Sequence, residues 1–317
     1  MEIRQYTGRD FPALLSLWNR ALPHDPVTRE MLMKKLIMDP NFRSEGLLIC
    51  TREAAMIGFI NAVCRRIPAV PGDASWEHTG YIPEIAVSPG ADEEAVGGLL
   101  LDAAGAYLRG HGKTRATTAY PPLYFTQGVE RDAHPGLVRA FLSRGYHGVP
   151  SVAKELDLDA YRELPDIENR RRRLAKEGYE VVTLTDGLAA DVLDADAPFS
   201  SANWSEEFRG RLSVNMDFGS MRVAVRHTPD GDRVVGACIF GDPNSDACRF
   251  GPFGVSSEER GKGIGSVLLA DTLNEMKRRG LHRAWMQWAD ESGPAHTVYT
   301  RVGFRIVKRY LTFSGSL

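Results

Sequence analysis

The chain has 317 residues, 43% of them hydrophobic and 25% charged, with 39 basic against 41 acidic side chains. That length suits two ordinary domains, and the near-neutral balance speaks against a bulk polyanion partner such as a nucleic acid. Cys50, Cys64, Cys238 and Cys248 form no CxxC or Cys/His pair at metal spacing, and no apolar run approaches the ~20 residues that span a bilayer, so neither a metal, a disulfide framework nor a membrane span is expected.

The N-terminus "MEIRQYTGRD" lacks a signal-peptide apolar run, so a cytoplasmic location is expected. "EIRQYTGRD" (2–10) reads as an opening strand and 11–38 as helical. "GLLICTRE" and "MIGFINAVCRRI" read as a strand pair. A helix follows whose Val96, Leu99, Leu100, Ala103, Ala104 and Tyr107 share one face. After a Pro-rich insertion, "YPPLYFTQGVERDAHPG" (120–136), "AFLSRGY" (140–146) reads as a helix end, a glycine and the start of a last strand. The segment 161–177 reads as a linker helix beginning after Pro165. Its run Arg170 to Arg173 is either a solvated face, the favoured reading, or an anion-docking patch.

Beyond the linker the pattern repeats. "YEVVTLTD" (179–186) opens with a strand, 187–214 is helical, and "MRVAVRH" and "RVVGACIFG" pair across the turn "TPDGD" (228–232). Residues 87–116 align without a gap on 255–284 at an offset of 168, and "AFLSRGY" matches "VYTRVGF" (298–304) at an offset of 158. The fold class expected is α+β: two tandem domains of one kind, 1–160 and 178–317, each a mixed, mostly antiparallel sheet flanked by helices. Trp204, Phe208 and Leu212 recur at helical spacing and read as core, or as the wall of an acceptor pocket. Of Trp285 and Trp288, on opposite faces of their strand, at least one is expected in the core.

The second copy carries the chemistry. "FGVSSEERGKGIGSVLL" runs from a strand through Arg260, Gly261, Lys262, Gly263, Ile264, Gly265 and Ser266 into an amphipathic helix. Glycine amides at the positive end of a helix make an anion site, to which Arg260 and Lys262 add charge. The Walker pattern fails, because six residues separate Gly254 from Gly261 and Lys262 is followed by glycine. The dinucleotide G-x-G-x-x-G pattern fails too, because the glycines alternate and hairpins precede the turn. Pro252 cannot donate in a central ladder, so it marks a strand end or a bulge where the next strand diverges.

Arg260, Gly263 and Gly265 after a strand ending in valine resemble the pyrophosphate loop of the GNAT superfamily of acyl-CoA-dependent N-acyltransferases. Ala295, Tyr299, Gly303 and Phe304 resemble that family's A-x-x-x-Y-x-x-x-G-F pattern, and the resemblance extends over 178–317. It implies an N-acetyltransferase that uses acetyl-CoA as co-substrate and needs no metal. The acceptor implied is a small-molecule or peptide amine, attacked in a ternary complex by a monomer or homodimer. Phe253, Gly254 and Val255 would line the thioester arm, 260–266 would hold the pyrophosphate, and Tyr299 would protonate the departing thiolate. Ser292 stands where members often have asparagine, and the resemblance implies that it contacts the pantetheine arm. Asp217, Asp290, Glu291 and His296 are candidate bases; water is another. The first copy looks like the same fold with its site erased: Asp92-Glu93-Glu94-Ala95 stand opposite Arg260 to Gly263, and Phe141 opposite Tyr299. A non-catalytic CoA-binding sensor or scaffold is the competing reading.

Overall fold

A computed structural model describes every residue except 67–73, 121–125, 195, 201 and 244. Part of the Pro-rich insertion, 121–125, and Ile67 at the end of the second strand read above therefore lie outside the described residues. The chain forms two compact units: Met1–Val152 with Lys308–Leu317, and Ala153–Val307.

The first unit runs β1 (Glu2–Gln5), α1 (Phe11–Ala21), α2 (Arg29–Leu32), β2 (Leu47–Arg52), β3 (Ala55–Val63), α3 (Ser75–His78), β4 (Thr79–Val87), α4 (Glu93–Gly110), β5 (Arg115–Thr117), β6 (Val129–Glu130), α5 (Pro135–Leu142) and the start of β7 (His147–Asp157). β1 to β4 pair antiparallel in sequence order, and β5 pairs parallel to β4. Strand residues alternate between two buried faces. Leu48 and Ile60 meet Val96, Leu100 and Leu108 of α4, while Leu47, Ile49 and Phe59 meet Leu14, Leu17 and Trp18 of α1. The helix expected over 11–38 is interrupted. Pro23 and Pro26 follow α1 directly, and the chain resumes as α2 and a π-turn over Met33–Ile37.

The second unit contains the end of β7, then α6 (Ile167–Lys176), β8 (Tyr179–Thr183), α7 (Asp186–Val192), α8 (Ala202–Asn215), β9 (Met221–Thr228), β10 (Gly231–Phe240), β11 (Phe250–Val255), α9 (Ile264–Arg278), β12 (Arg283–Ala289), α10 (Pro294–Val302) and the first residues of β13 (Arg305–Ser316). Its sheet runs β11-β10-β9-β8. α9 packs against β9 and β10, while Phe208 and Leu212 of α8 join Met221, Val223 and Ile239 in the core of the opposite face. The helix expected over 187–214 is also split, at a stretch containing Pro198.

The division differs from the halves 1–160 and 178–317 read from the sequence. Residues 308–317 complete the first unit, where Ser314, Gly315 and Ser316 of β13 pair with Thr117, Ala116 and Arg115 of β5. Residues 153–177, including α6, belong to the second. The two last strands have similar apolar alternation, so sequence pattern does not say which sheet each one finishes.

Candidate active site

β11 leads into the glycine loop. Its pairing with β10 sets Val255 opposite Gly236, Gly254 opposite Ala237 and Phe253 opposite Cys238. The register then slips, so that Gly251 and Pro252 face the single residue Ile239 before Phe250 meets Phe240. This is the bulge that a proline in the strand predicts. On its other side β11 is adjoined through one parallel bridge, Arg249 with Trp285 of β12. Among the described residues the strands do not pair beyond it, which leaves an open edge along β11. Gly254 is a close-approach position: a Cβ there would fall 2.5 Å from the Phe199 carbonyl oxygen and from the Trp204 ring.

The loop needs its glycines, since Gly261 and Gly263 sit at φ +81° and +92°. Gly263 is also the N-cap of α9 and has no side chain to satisfy the first-turn amides. That open helix end, with its positive dipole, is an anion cradle. Arg260 is exposed beside it, its Nε donating to the Val255 carbonyl at 3.3 Å. Lys262 is drawn back. Its Nζ donates to the Tyr179 hydroxyl at 2.8 Å and to the carboxylate of Glu259. Glu259 is buried; burial alone would raise its pKa, but hydrogen bonds from Lys262 and Tyr179 and the charge of Arg226 outweigh it and hold it low. The Glu259 and Tyr179 contacts in turn push the Lys262 ammonium up. Lys262 therefore braces the loop from behind.

α6 brings further cations. A Cβ on Gly263 would lie 3.2 Å from Arg170 Nη1 and 3.4 Å from Arg173 Nη2, and Arg173 donates to the Lys262 carbonyl. Arg170 and Arg301 share the Asp166 carboxylate, at 2.7 and 3.2 Å. A cavity of about 100 Å³ adjoins them, lined by Ile167, Arg170, Ser266, Thr297, Val298 and Arg301. Arg171 instead pairs with Asp271 at 2.6 Å, and Arg172 with Glu168 at 3.0 Å. Arg172 and Arg173 are exposed, as the solvated-face reading expects, while Arg170 is half-buried; Arg170 and Arg173 also lie beside the loop. Those two stand one helical turn apart, over the loop.

Tyr299 lies on α10 with 8% of its surface exposed, its ring centroid 6.0 Å from that of Phe253 and 6.3 Å from that of Phe250, both on β11. Its hydroxyl has no hydrogen-bond partner among the described residues. Burial, with a smaller contribution from Cys238, pushes the phenol well above its ordinary pKa. Ser292 is exposed in the bend before α10. Of the candidate bases, Asp217 is tied to Arg279 and Asp290 is exposed. His296 faces a residue that sequence reasoning missed. Lys154 on β7 has no exposed surface, and its Nζ lies 2.8 Å from His296 Nδ1. The available signal was a lysine inside "SVAKELDL", at a buried strand position. Neither tryptophan of β12 is in the core. Trp285 is half-buried, with Nε1 donating to Asp246 at 2.8 Å, and Trp288 is exposed; the core positions of that strand are Ala284, Met286 and Ala289.

Residues 190–304 match the family model described as acetyltransferase (GNAT) family. Over that segment the chain resembles a GNAT domain. The match spans the bulge, the loop and Tyr299. Among solved structures, a GCN5-related glucosamine N-acetyltransferase region of a fungal multi-domain GH3 β-N-acetylglucosaminidase is similar at TM-score 0.79 and 19% identity, over 99% of this chain and 38% of that one. A GCN5-related N-acetyltransferase from Sphaerobacter thermophilus gives 0.68 at 16% identity, over 99% and 95% of the two chains. A tandem GNAT protein from the clavulanic acid biosynthesis pathway gives 0.66 at 19%, over 99% and 98%. The chain thus spans 38% of the length of the first of these and nearly all of the other two. At these identities the likeness shows the fold, a tandem GNAT architecture. No curated protein sequence matches the chain.

Set against the second unit, the first has its cradle closed from within. Asp92 is the N-cap of α4, and its carboxylate accepts the Ala95 amide at 3.0 Å, so the helix end that Gly263 leaves open is here satisfied. Glu93 pairs with His134 at 2.7 Å and accepts the Gly136 amide, and Glu94 pairs with Arg139. Phe141, aligned with Tyr299, has no exposed surface and stacks on Phe313 with centroids 4.4 Å apart. Among the described residues, no group of three or more His, Cys, Asp or Glu could hold a metal, and no helix is long and apolar enough to cross a membrane.

Proposed function

We propose that the chain is an acyl-CoA-dependent N-acetyltransferase whose second unit holds acetyl-CoA and passes its acetyl group directly to an amine. One observation carries the reading: an uncapped helix end at Gly263 follows, through the short loop 256–262, a bulged strand with an open edge, and an unpartnered buried phenol lies beside that strand. The amides of Ile264 and Gly265, with Arg260, would bind the pyrophosphate. Arg170 and Arg173 would neutralise it further, and the adjoining cavity suits the adenosine end. The open edge of β11 over Phe253, Gly254 and Val255 would hydrogen-bond the pantetheine arm as an added strand does. The acceptor amine, deprotonated through water, attacks the thioester carbon, and Tyr299 meets the departing sulfur. The first unit, with its helix end capped by Asp92, is non-catalytic in this reading.

A screen of acetyl-CoA consumption across amine classes tests it, beginning with glucosamine, the acceptor named for one structural neighbour. Turnover with at least one amine is expected, together with acetyl-CoA binding that Arg260→Glu weakens at least tenfold. Failure of the intact protein to bind acetyl-CoA in calorimetry would overturn the reading.

A further inference from the structure

Lys154 is a lysine with no exposed surface, on a strand outside the segment that matches the GNAT model. A buried ammonium ordinarily has a carboxylate partner or several acceptors. Lys154 has one hydrogen bond, to His296 Nδ1 at 2.8 Å, and no carboxylate within ion-pair distance among the described residues. Its Nζ stands 5.6 Å from the centroid of the Tyr299 ring, the geometry of a cation over an aromatic face. The groups that act on this pair are His296 on α10, Asp290 at the end of β12 and Cys238 on β10. Burial pushes the ammonium below the ordinary lysine value, and the charge of Asp290 opposes the shift.

The phenol has the complementary difficulty. Burial raises its pKa, so handing its proton outright to a thiolate whose free thiol titrates near ~8.5 runs uphill. A positive charge held over the ring offsets that cost, and an anion arriving in the pocket compensates the lone ammonium. Each group lacks what the other and the sulfur together supply.

We infer that Lys154 is a positioning residue of the proposed acyl transfer: held by His296 over the Tyr299 ring, its ammonium balances the negative charge that the departing CoA sulfur and the phenol share. The inference rests on the acyl-CoA reading. In the step, the acceptor nitrogen bonds to the acyl carbon and the carbon–sulfur bond breaks, its electron pair staying on sulfur. The surplus proton of the nitrogen passes to solvent. One proton is shared between sulfur and the phenol oxygen, and Lys154 keeps its own. Solvent returns the missing proton as CoA leaves as the thiol.

CoA is the probe, and desulfo-CoA, which lacks the sulfur, is the control. Calorimetry in buffers of different ionisation enthalpy counts the protons released when each binds the full-length protein. At about pH 8, CoA should release more proton than desulfo-CoA, because the sulfur–phenol pair titrates below the ~8.5 of a free thiol. Lys154→Met should raise the apparent pKa of that pair by about one unit, a tenfold weaker hold on the charge, and so remove the excess. Lys154→Arg should restore it, which a purely packing role would not predict. If Lys154→Met does not fold, His296→Ala removes the tether from a half-buried position and should diminish the excess. Equal proton release by the two ligands on the wild-type protein overturns the inference and leaves the acyl-CoA reading standing. An excess that survives the Lys154 and His296 variants overturns it as well. If neither ligand binds, the acyl-CoA reading falls, and this inference with it.

Discussion

Tyr299 and Glu84 are buried acids with opposite prospects. The Tyr299 hydroxyl is unpartnered beside the open strand edge, and Phe141 shows that the aligned position tolerates the bare ring. Tyr299→Phe should lower kcat by ~10²–10⁴-fold while the acetyl-CoA Kd stays within a few-fold, because only the proton donor is lost. An unchanged kcat under chemistry-limited conditions would return Tyr299 to a packing role. Glu84, on β4 of the first unit, accepts from Asn61 at 2.9 Å, and burial lifts its carboxyl from 4.5 to about 8. The native state therefore keeps a proton that the unfolded chain surrenders above about 4.5. This group lowers stability as pH rises from there to about 8, by about 1.4 kcal/mol per pKa unit, and adds no further slope above it. Glu84→Gln should match the parent near pH 4 and exceed it near pH 8 in urea midpoint. If the difference between the two proteins does not change with pH, Glu84 is not held neutral.

At the scale of elements, α4 and α9 show one helix start solved two ways. Asp92 brings its own carboxylate to α4, whereas Gly263 leaves α9 for a ligand to finish. The sequence displayed this contrast, because glycine and acid alternatives at aligned positions are local chemistry. What α6 does was not legible. Four consecutive arginines look alike, and only the placement of the helix sets Arg170 and the exposed Arg173 beside the loop and Arg172 away from it. Lys154 escaped for a related reason. Its burial and its partner His296 are set by contacts across 142 positions of sequence, which no local pattern encodes. Apolar periodicity runs on past Pro23, Pro26 and Pro198, whereas the helices stop around them. Charge-assisted hydrogen bonds contribute about 1.5–3 kcal/mol each. Arg170→Ala combined with Arg173→Ala should therefore weaken CoA binding at least tenfold, with a shallower salt dependence, while Arg172→Ala should leave both unchanged. Equal affinities in calorimetry would return the pair to the solvated surface.

For the molecule as a whole, the assignment of residues 308–317 to the first unit matters most. That segment supplies Phe313, stacked on Phe141, and Tyr310, whose hydroxyl donates to Asp25 at 3.2 Å. Losing one buried phenylalanine costs about 3–5 kcal/mol, a large share of the roughly 5–15 kcal/mol that holds a domain together. Deleting 308–317 should therefore leave the N-terminal unit open to proteolysis while β8 to α10 remain protected. Equal protection of both units would contradict the division. The same feature sets a schedule during synthesis. The 155 residues of Ala153–Val307 are made between the body of the first unit and its final strand. Ser314 is made about 200 residues after its partner Thr117, so at about 5–20 residues per second β5 waits roughly 10–40 s with an unpaired edge. The N-terminal unit begins to emerge first but can be completed only after the second unit has been made, so a slow stretch of translation within 153–307 prolongs the exposure of its neighbour.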